Sequence, residues 1–401
     1  MNPQKALSLL MALKQLKDLM DLSDDELRTT ERRVWINPTL AKRKTHNIEA
    51  RLLADVLWEE TGYQKYSQLN IDDFEKIHDM IQPKIQKQDT VMRVAITSRI
   101  RLAITLRYLG TGDSLRALEV NSHISRKTMS KFLPEVLSAI IECLESKYLK
   151  LPSTKNEWLE VANDFEELWQ FPHTLGAIDG KHIRIKTTGQ STPEYFNNKG
   201  YCSIVLFALV DAHSKFLYVD ISKGGRDFDD AVFKNSTLNE WLKKEKLKVP
   251  ADRELKGQLV KTPYYFIADD IFNFERHVMK AYNSNINLLN SQQVFNERLR
   301  HALTSVEIAF SKLAARFGIL CRPIEVSLDT CDSLVRACCI LHNYLSKDLT
   351  EPYSFEITTK ELPETMSSLP PQCHERVKNA KEVRENIRKY LLTEEGAFND
   401  K

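Results

Sequence analysis

The segment Tyr201–Ala212, YCSIVLFALVDA, constrains this chain more than any other. Almost every position is apolar, so no face is left for water. A run of that kind, bounded by turn residues, is a strand buried on both faces of its sheet. A sheet buried on both faces needs helices on each side, which fixes a layered α/β architecture. The flanking segments agree. Leu175–Ile178 and Ile183–Ile185 have strand character on either side of Asp179-Gly180-Lys181-His182. His213-Ser214-Lys215 makes a turn, Phe216–Ser222 alternates as a further strand, and Tyr264–Ala268 is a short fourth one. Helices are expected from Asp227 to about Lys246, over Phe274–Tyr282, over 292–317 and over Asp332–Leu345. The third of these carries Val306, Ala309, Phe310, Leu313 and Phe317 at helical spacing.

Ahead of this α/β region, from about residue 170 to 345, the chain divides in two. Residues 1–90 have the pattern of a charge-rich helical region, with a basic, poorly periodic stretch at 31–46 broken by Pro38. Residues 91–150 form a compact helical unit. A helix near Val94–Leu109 stops at Gly110-Thr111-Gly112-Asp113-Ser114, where Asp113 or Ser114 can cap a short helix over Leu115–Val120. After Asn121-Ser122-His123, Ser125 can cap a third helix that opens with Arg126, Lys127, Thr128 and Lys131. This is the plan of a helix-turn-helix, in which the last helix reaches bases or phosphates. A plain helical bundle with a solvated basic edge has the same pattern. The tail, 346–401, is charged and carries four prolines, with one amphipathic helix expected near 374–392.

Charge and cysteine content narrow the function classes. Lys and Arg number 57 against 55 acids, a net charge of +2, which excludes a uniformly basic nucleic-acid coat but not a basic face offset by an acidic site. Seven cysteines at irregular spacing, with no CxxC pair, fit reduced thiols rather than a disulfide framework. No apolar run reaches the ~18 residues that span a bilayer, so no membrane association is expected. No P-loop, GxGxxG after a strand, GxSxG or HExxH is present. Cys338, Cys339 and His342 fall within ACCILHNYL, which has the pattern of a core helix rather than a zinc site.

Four acids stand at element ends or on an inner helix face: Asp179, Asp229, Asp269 and Glu307. Most of the 55 acids simply face water, so position must decide. Asp179 lies among buried-looking strand residues, where an unpaired charge is costly. Glu307 lies between Val306 and Ile308, close to an apolar stripe. Carboxylates on adjacent strand ends and a packed helix can hold Mg²⁺ or Mn²⁺, hard ions that favour oxygen ligands. Two such ions can activate water and stabilise the leaving oxygen in phosphodiester hydrolysis.

These residues sit in ordered blocks. GAIDGKHIRI resembles the first catalytic block of the PIF/Harbinger transposases and the nucleases derived from them. EYFNNKGYCSIVLFALVDAHSKFLYVD is similar to the strands that follow, and GGRDFDDAVF to the glycine-rich loop with an Asp before a helix. YYFIADD occupies the place of the strand ending in Gly-Asp. VFNERLRHALTSVEIAFSKLAARFGILCRPI resembles the block with the catalytic Glu, and ACCILHNYL the end of the domain. The resemblance spans about residues 30–345. It implies an RNase H-like core, a mixed sheet flanked by helices, with Asp179, Asp269 and Glu307 catalytic and these three plus Asp229 as metal ligands. It further implies a divalent cation, a DNA substrate, a Myb/SANT-like DNA-binding partner, a nuclear location shared with the cytoplasm, and room for a homo-oligomer. Arg126, Lys127 and Lys131 are the DNA-contact candidates. Three departures stand out. Ala268 replaces the family's Gly, the loop Asp270-Ile271-Phe272-Asn273 lacks the family's Tyr/Phe-Pro pattern, and Leu299–Thr304 is less basic than the run that usually precedes the Glu. A domesticated DNA- or protein-binding chain with weak or no catalysis is the alternative.

Overall fold

The computed structural model describes residues 69–91, 94–186, 193–222, 229–270, 272–283, 288–346, 362–368 and 378–397. The expectations for residues 1–68 lie outside these. Helices come first: α1 (Ile71–Ile85), α2 (Ser98–Thr111), α3 (Leu115–Ser122), α4 (Arg126–Tyr148) and α5 (Lys155–Trp169). Then follow β1 (Thr174–Arg184), β2 (Ser203–Val210), β3 (Phe216–Ser222), α6 (Asp229–Asn235), α7 (Thr237–Lys243), and the short strands β4 (Arg253–Glu254) and β5 (Lys261–Thr262). The chain continues through β6 (Tyr265–Ala268), β7 (Val278–Met279), α8 (Asn290–Arg316), α9 (Leu328–Leu345), β8 (Met366–Ser368) and α10 (Lys378–Tyr390).

The central sheet is mixed and flanked by helices, with strand order β3-β2-β1-β6-β7. The β1–β2 and β2–β3 pairs are antiparallel, whereas β6 runs parallel to β1 and β7 parallel to β6. All eight residues of β2 are buried, as its unbroken apolar run requires. One face carries Ala177, Leu206, Ala208 and Ile267 and packs on α8 and α9. The other carries Ile178, Phe207, Phe266 and Ala268 and packs on Trp158 of α5 and on Phe233 and Leu238 of α6 and α7.

Three differences from the sequence expectation matter. First, β1 is one strand of eleven residues, and Asp179 lies inside it rather than at its end. Asp-Gly usually signals a turn, but here both residues pair with β2, Asp179 opposite Ala208 and Gly180 opposite Phe207. Second, Phe274–Tyr282 is not helical. Val278 and Met279 form β7, because their side chains fill the sheet beside Phe266 and Ile267. Third, the expected helix from Asp227 to about Lys246 is two helices, broken at Ser236, whose hydroxyl caps α7 by accepting from the Asn239 amide.

A bulge near the start of β1 sets which way the strand faces. Register with β6 shifts between Thr174 and Ala177, and Gly176 there has φ +150°. Leu175 and Ile178 consequently share one face although they are an odd number of residues apart. The alternation that follows turns Ala177, Asp179 and Lys181 toward the α8 side.

The leading helices share their core with this side of the sheet. Gly112 ends α2 with φ +66°, and a Cβ there would come within 2.7 Å of the Gly318 carbonyl oxygen, so the helix end abuts the turn after α8. Asn343 of α9 ties three elements. Its Oδ1 accepts from the Phe216 amide (2.9 Å), and its Nδ2 donates to the carbonyls of Phe216 and Tyr148 (both 2.6 Å). Asn343→Leu leaves these buried backbone groups unpaired and is expected to cost about 2–4 kcal/mol in urea unfolding, while Leu345→Met on the same helix costs little.

Candidate active site

Parallel pairing brings two of the candidate acids together. Ile178 of β1 is opposite Ala268, the last residue of β6, and Asp179 and Asp269 are the residues that follow this pair. Ala177 and Ile267, each two residues earlier, belong to the layer under α8. Alternation along β1 places Asp179 toward that same layer, and Asp269 directly follows the last residue of β6. Asp269 is half-buried. The loop after it is held by Lys280, whose buried ammonium donates to the carbonyls of Asp270 and Phe272, each at 3.3 Å.

Glu307 comes from α8. The helix buries Ala302, Val306, Ala309, Phe310 and Leu313 against the sheet. Glu307 itself is exposed, not drawn into the apolar stripe as its neighbours in sequence suggested. Its carboxyl nevertheless sits near enough to the protein for desolvation to raise its pKa. The charge of Lys181 opposes that shift and the charge of Asp179 adds to it. Asp179, Lys181 and Glu307 therefore interact electrostatically. Asp229 starts α6, but its side chain lies outside the described residues.

Asp179 is the most enclosed of the acids, 5% exposed. Its Oδ1 accepts from the Gly180 amide at 2.6 Å, and its Oδ2 pairs with the Lys181 ammonium at 2.6 Å. Lys181 is 4% exposed. Sequence reasoning passed over this lysine. The usable signal was its spacing, since residues two apart on a strand share a face.

The three carboxylates fit a hard divalent cation in chemistry, being oxygen donors on a strand, a strand end and a helix. They do not close on one another: among the described residues, the only group of three ligand atoms all within 4.8 Å is Glu75, His78 and Asp79 on α1. That group is committed elsewhere. Glu75 makes a two-pronged ion pair with Arg99, and His78 Nε2 is 2.9 Å from Ser98 Oγ. Cys338 and Cys339 are buried in the core, with burial pushing the Cys339 thiol up to about 12, and His342 Nε2 lies 3.1 Å from the Ser214 carbonyl.

The helix-turn-helix candidates lie on α3 and α4. His123 ends α3 with φ 52°, and Ser125 Oγ caps α4 by accepting from the Thr128 amide. Arg126, Lys127 and Lys131 are exposed, while Met129, Phe132 and Leu133 pack inward. Among the described residues no helix is long and apolar enough to cross a membrane.

A buried carboxylate on the central strand, a second beside it and a third on the covering helix are what define this site. Residues 178–343, which include all four candidate acids, match the family described as DDE superfamily endonuclease. Among curated proteins, the chain is 27% identical over 257 residues to "Protein ALP1-like" of Arabidopsis thaliana, covering 61% of this chain and 60% of that one. It is 22% identical over 254 residues to "Putative nuclease HARBI1" of Xenopus laevis and 20% identical over 303 residues to the human protein of that name. These matches cover 62% and 74% of this chain, and 68% and 80% of the relatives. The chain thus spans about 60% of the length of the Arabidopsis relative. No solved structure matches it. Transposase ancestry, which the sequence blocks implied, agrees with these relatives.

The Glu307 shift has a measurable consequence. Its folded pKa lies above the ordinary 4.5, so its contribution to stability is full below pH 4.5 and is lost as pH rises through the folded value. Without divalent metal, Glu307→Gln should therefore match wild type in thermal unfolding at pH 4 and become slightly more stable than wild type toward pH 7. The gain is small because the side chain is exposed.

Proposed function

We propose that this protein is a divalent-metal-dependent DNA endonuclease of transposase origin, in which Asp179, Asp269 and Glu307 hold the metal and Asp229 is a further acid. The observation that carries this is the β1–β6 register, in which Asp179 and Asp269 each follow the last paired residues, Ile178 and Ala268, at the end of β6. Mg²⁺ or Mn²⁺ bound there would supply an activated water and charge stabilisation at the leaving oxygen. The protein's own part is to present oxygens from rigid elements. Asp179 is fixed by the β1–β2 ladder and the Gly180 amide, Asp269 by the Lys280-braced loop, and Glu307 by the buried face of α8. Arg126, Lys127 and Lys131 contact DNA phosphates. Strand transfer, a Myb/SANT-like partner, a homo-oligomeric state and a nuclear and cytoplasmic location complete the proposal and rest on the family resemblance.

A second reading has an observation of its own. Asp179 is occupied by Lys181 and the three acids do not gather within 4.8 Å, as they would in a preformed cation site. A domesticated protein that keeps the fold to bind DNA or a partner would tolerate this.

Nicking of supercoiled DNA separates the two. The endonuclease reading predicts Mg²⁺- or Mn²⁺-dependent nicking that falls at least about a hundredfold in Asp179→Asn, Asp269→Asn and Glu307→Gln. That is the equivalent of the several kcal/mol a bound metal contributes to charge stabilisation. Nicking that survives all three substitutions, or none by wild type with a partner and terminal-repeat DNA supplied, rejects it. DNA affinity is a separate test. Neutralising Arg126, Lys127 and Lys131 together should flatten the slope of log K against log salt by about 2.7, roughly 0.9 per lost phosphate contact.

A further inference from the structure

Lys181 is placed as a cation belonging to the acid site. It shares the α8-facing side of β1 with Asp179 and is buried with it. Its Nζ, 2.6 Å from Asp179 Oδ2, also donates to Ser368 Oγ of β8 at 2.9 Å and lies 5.6 Å from the ring centroid of Phe310. Phe310 stands one turn beyond Glu307 on α8, and the charge of Lys181 acts on Glu307. β8 keeps the lysine in place: it pairs with β1 at Lys181, His182 and Ile183, where β6 has ended. Tyr201 and Lys199 hold β8 in turn, Tyr201 through the Ser367 hydroxyl (2.6 Å) and Lys199 through the Ser368 carbonyl (2.8 Å).

With the Gly180 amide on Oδ1 and the ammonium on Oδ2, both oxygens of Asp179 already have donors. A divalent cation taking Oδ2 would meet the ammonium at close range, and two cations at such separation in a poorly screened site repel. We propose that Lys181 is the resident counter-ion of the acid site and that a divalent cation enters by exchange against it. This rests on the reading of Asp179, Asp269 and Glu307 as metal ligands. The lysine is then a positioning residue. It neutralises the buried Asp179 when no metal is bound, and it raises the metal concentration at which the acids close around a cation.

The test is Mn²⁺ binding, followed by the electron paramagnetic resonance of free Mn²⁺, on the full chain without DNA. Lys181→Gln keeps hydrogen-bonding capacity but removes the charge, and Lys181→Arg keeps the charge. Lys181→Gln should bind Mn²⁺ at least about tenfold more tightly than wild type, since one competing positive charge is gone. Lys181→Arg should stay close to wild type, and Asp179→Asn should lose the tight site. Thermal unfolding in parallel reports folding. If Lys181→Gln unfolds without metal, Mn²⁺ should restore its fold, and failure to do so overturns the proposal. Wild-type binding lost in Asp179→Asn but unchanged or weakened in Lys181→Gln overturns the exchange while leaving the metal site standing. Absence of Mn²⁺ binding by every variant overturns both.

Discussion

A buried carboxylate in the middle of the central strand is the constraint around which this molecule is arranged. Asp179 pairs with Ala208 of β2 on one side and on the other lies just past Ile178, the last β1 residue paired with β6, on the face that packs on α8. An uncompensated charge there would destabilise the fold by several kcal/mol. The compensation comes from the adjacent backbone amide and from Lys181 two residues on. The lysine in turn draws in Ser368, so a short strand from the C-terminal tail becomes part of the central sheet.

The face of the sheet that carries Asp179 shares its core with the helical front of the chain. The bulge at Gly176 determines that Asp179 faces α8 instead of α5. α9 packs on α4 and β3, with Asn343 satisfying backbone groups of both. The end of α2 closes on Gly318, just past α8. α3 and α4, with the exposed Arg126, Lys127 and Lys131, therefore belong to a frame that shares a core with the acid-bearing elements. If that basic surface engages DNA, α4 and α9 provide a direct mechanical connection to the sheet.

Much of the architecture was legible in the sequence. The apolar run of β2 dictated a sheet covered on both faces, and helical spacing located α8 and α9 within a few residues. Ser114 and Ser125 cap α3 and α4 as their positions suggested. What was missed had physical causes. Asp179 was read as a strand end because cross-strand pairing through Asp-Gly is invisible in a single sequence. Val278-Met279 is too short for its period to show against Phe274 and Tyr282. Glu307 was read as pointing close to the apolar stripe because its neighbours are apolar, yet its side chain is exposed. The ion pair with Lys181 became evident only once the strand was known to be continuous through both residues. Within the acid site, sequence blocks supplied the identities, and the register of β1 with β6 supplied the reason that acids so distant in sequence come together.

Locating bound Mn²⁺ by anomalous diffraction from crystals of the protein tests the central claim most directly. The account predicts Mn²⁺ ligated by Asp179 together with Asp269 or Glu307, with the Lys181 ammonium displaced from Asp179. Mn²⁺ found only at Glu75, His78 and Asp79, with the Asp179–Lys181 pair intact at saturating metal, would contradict it.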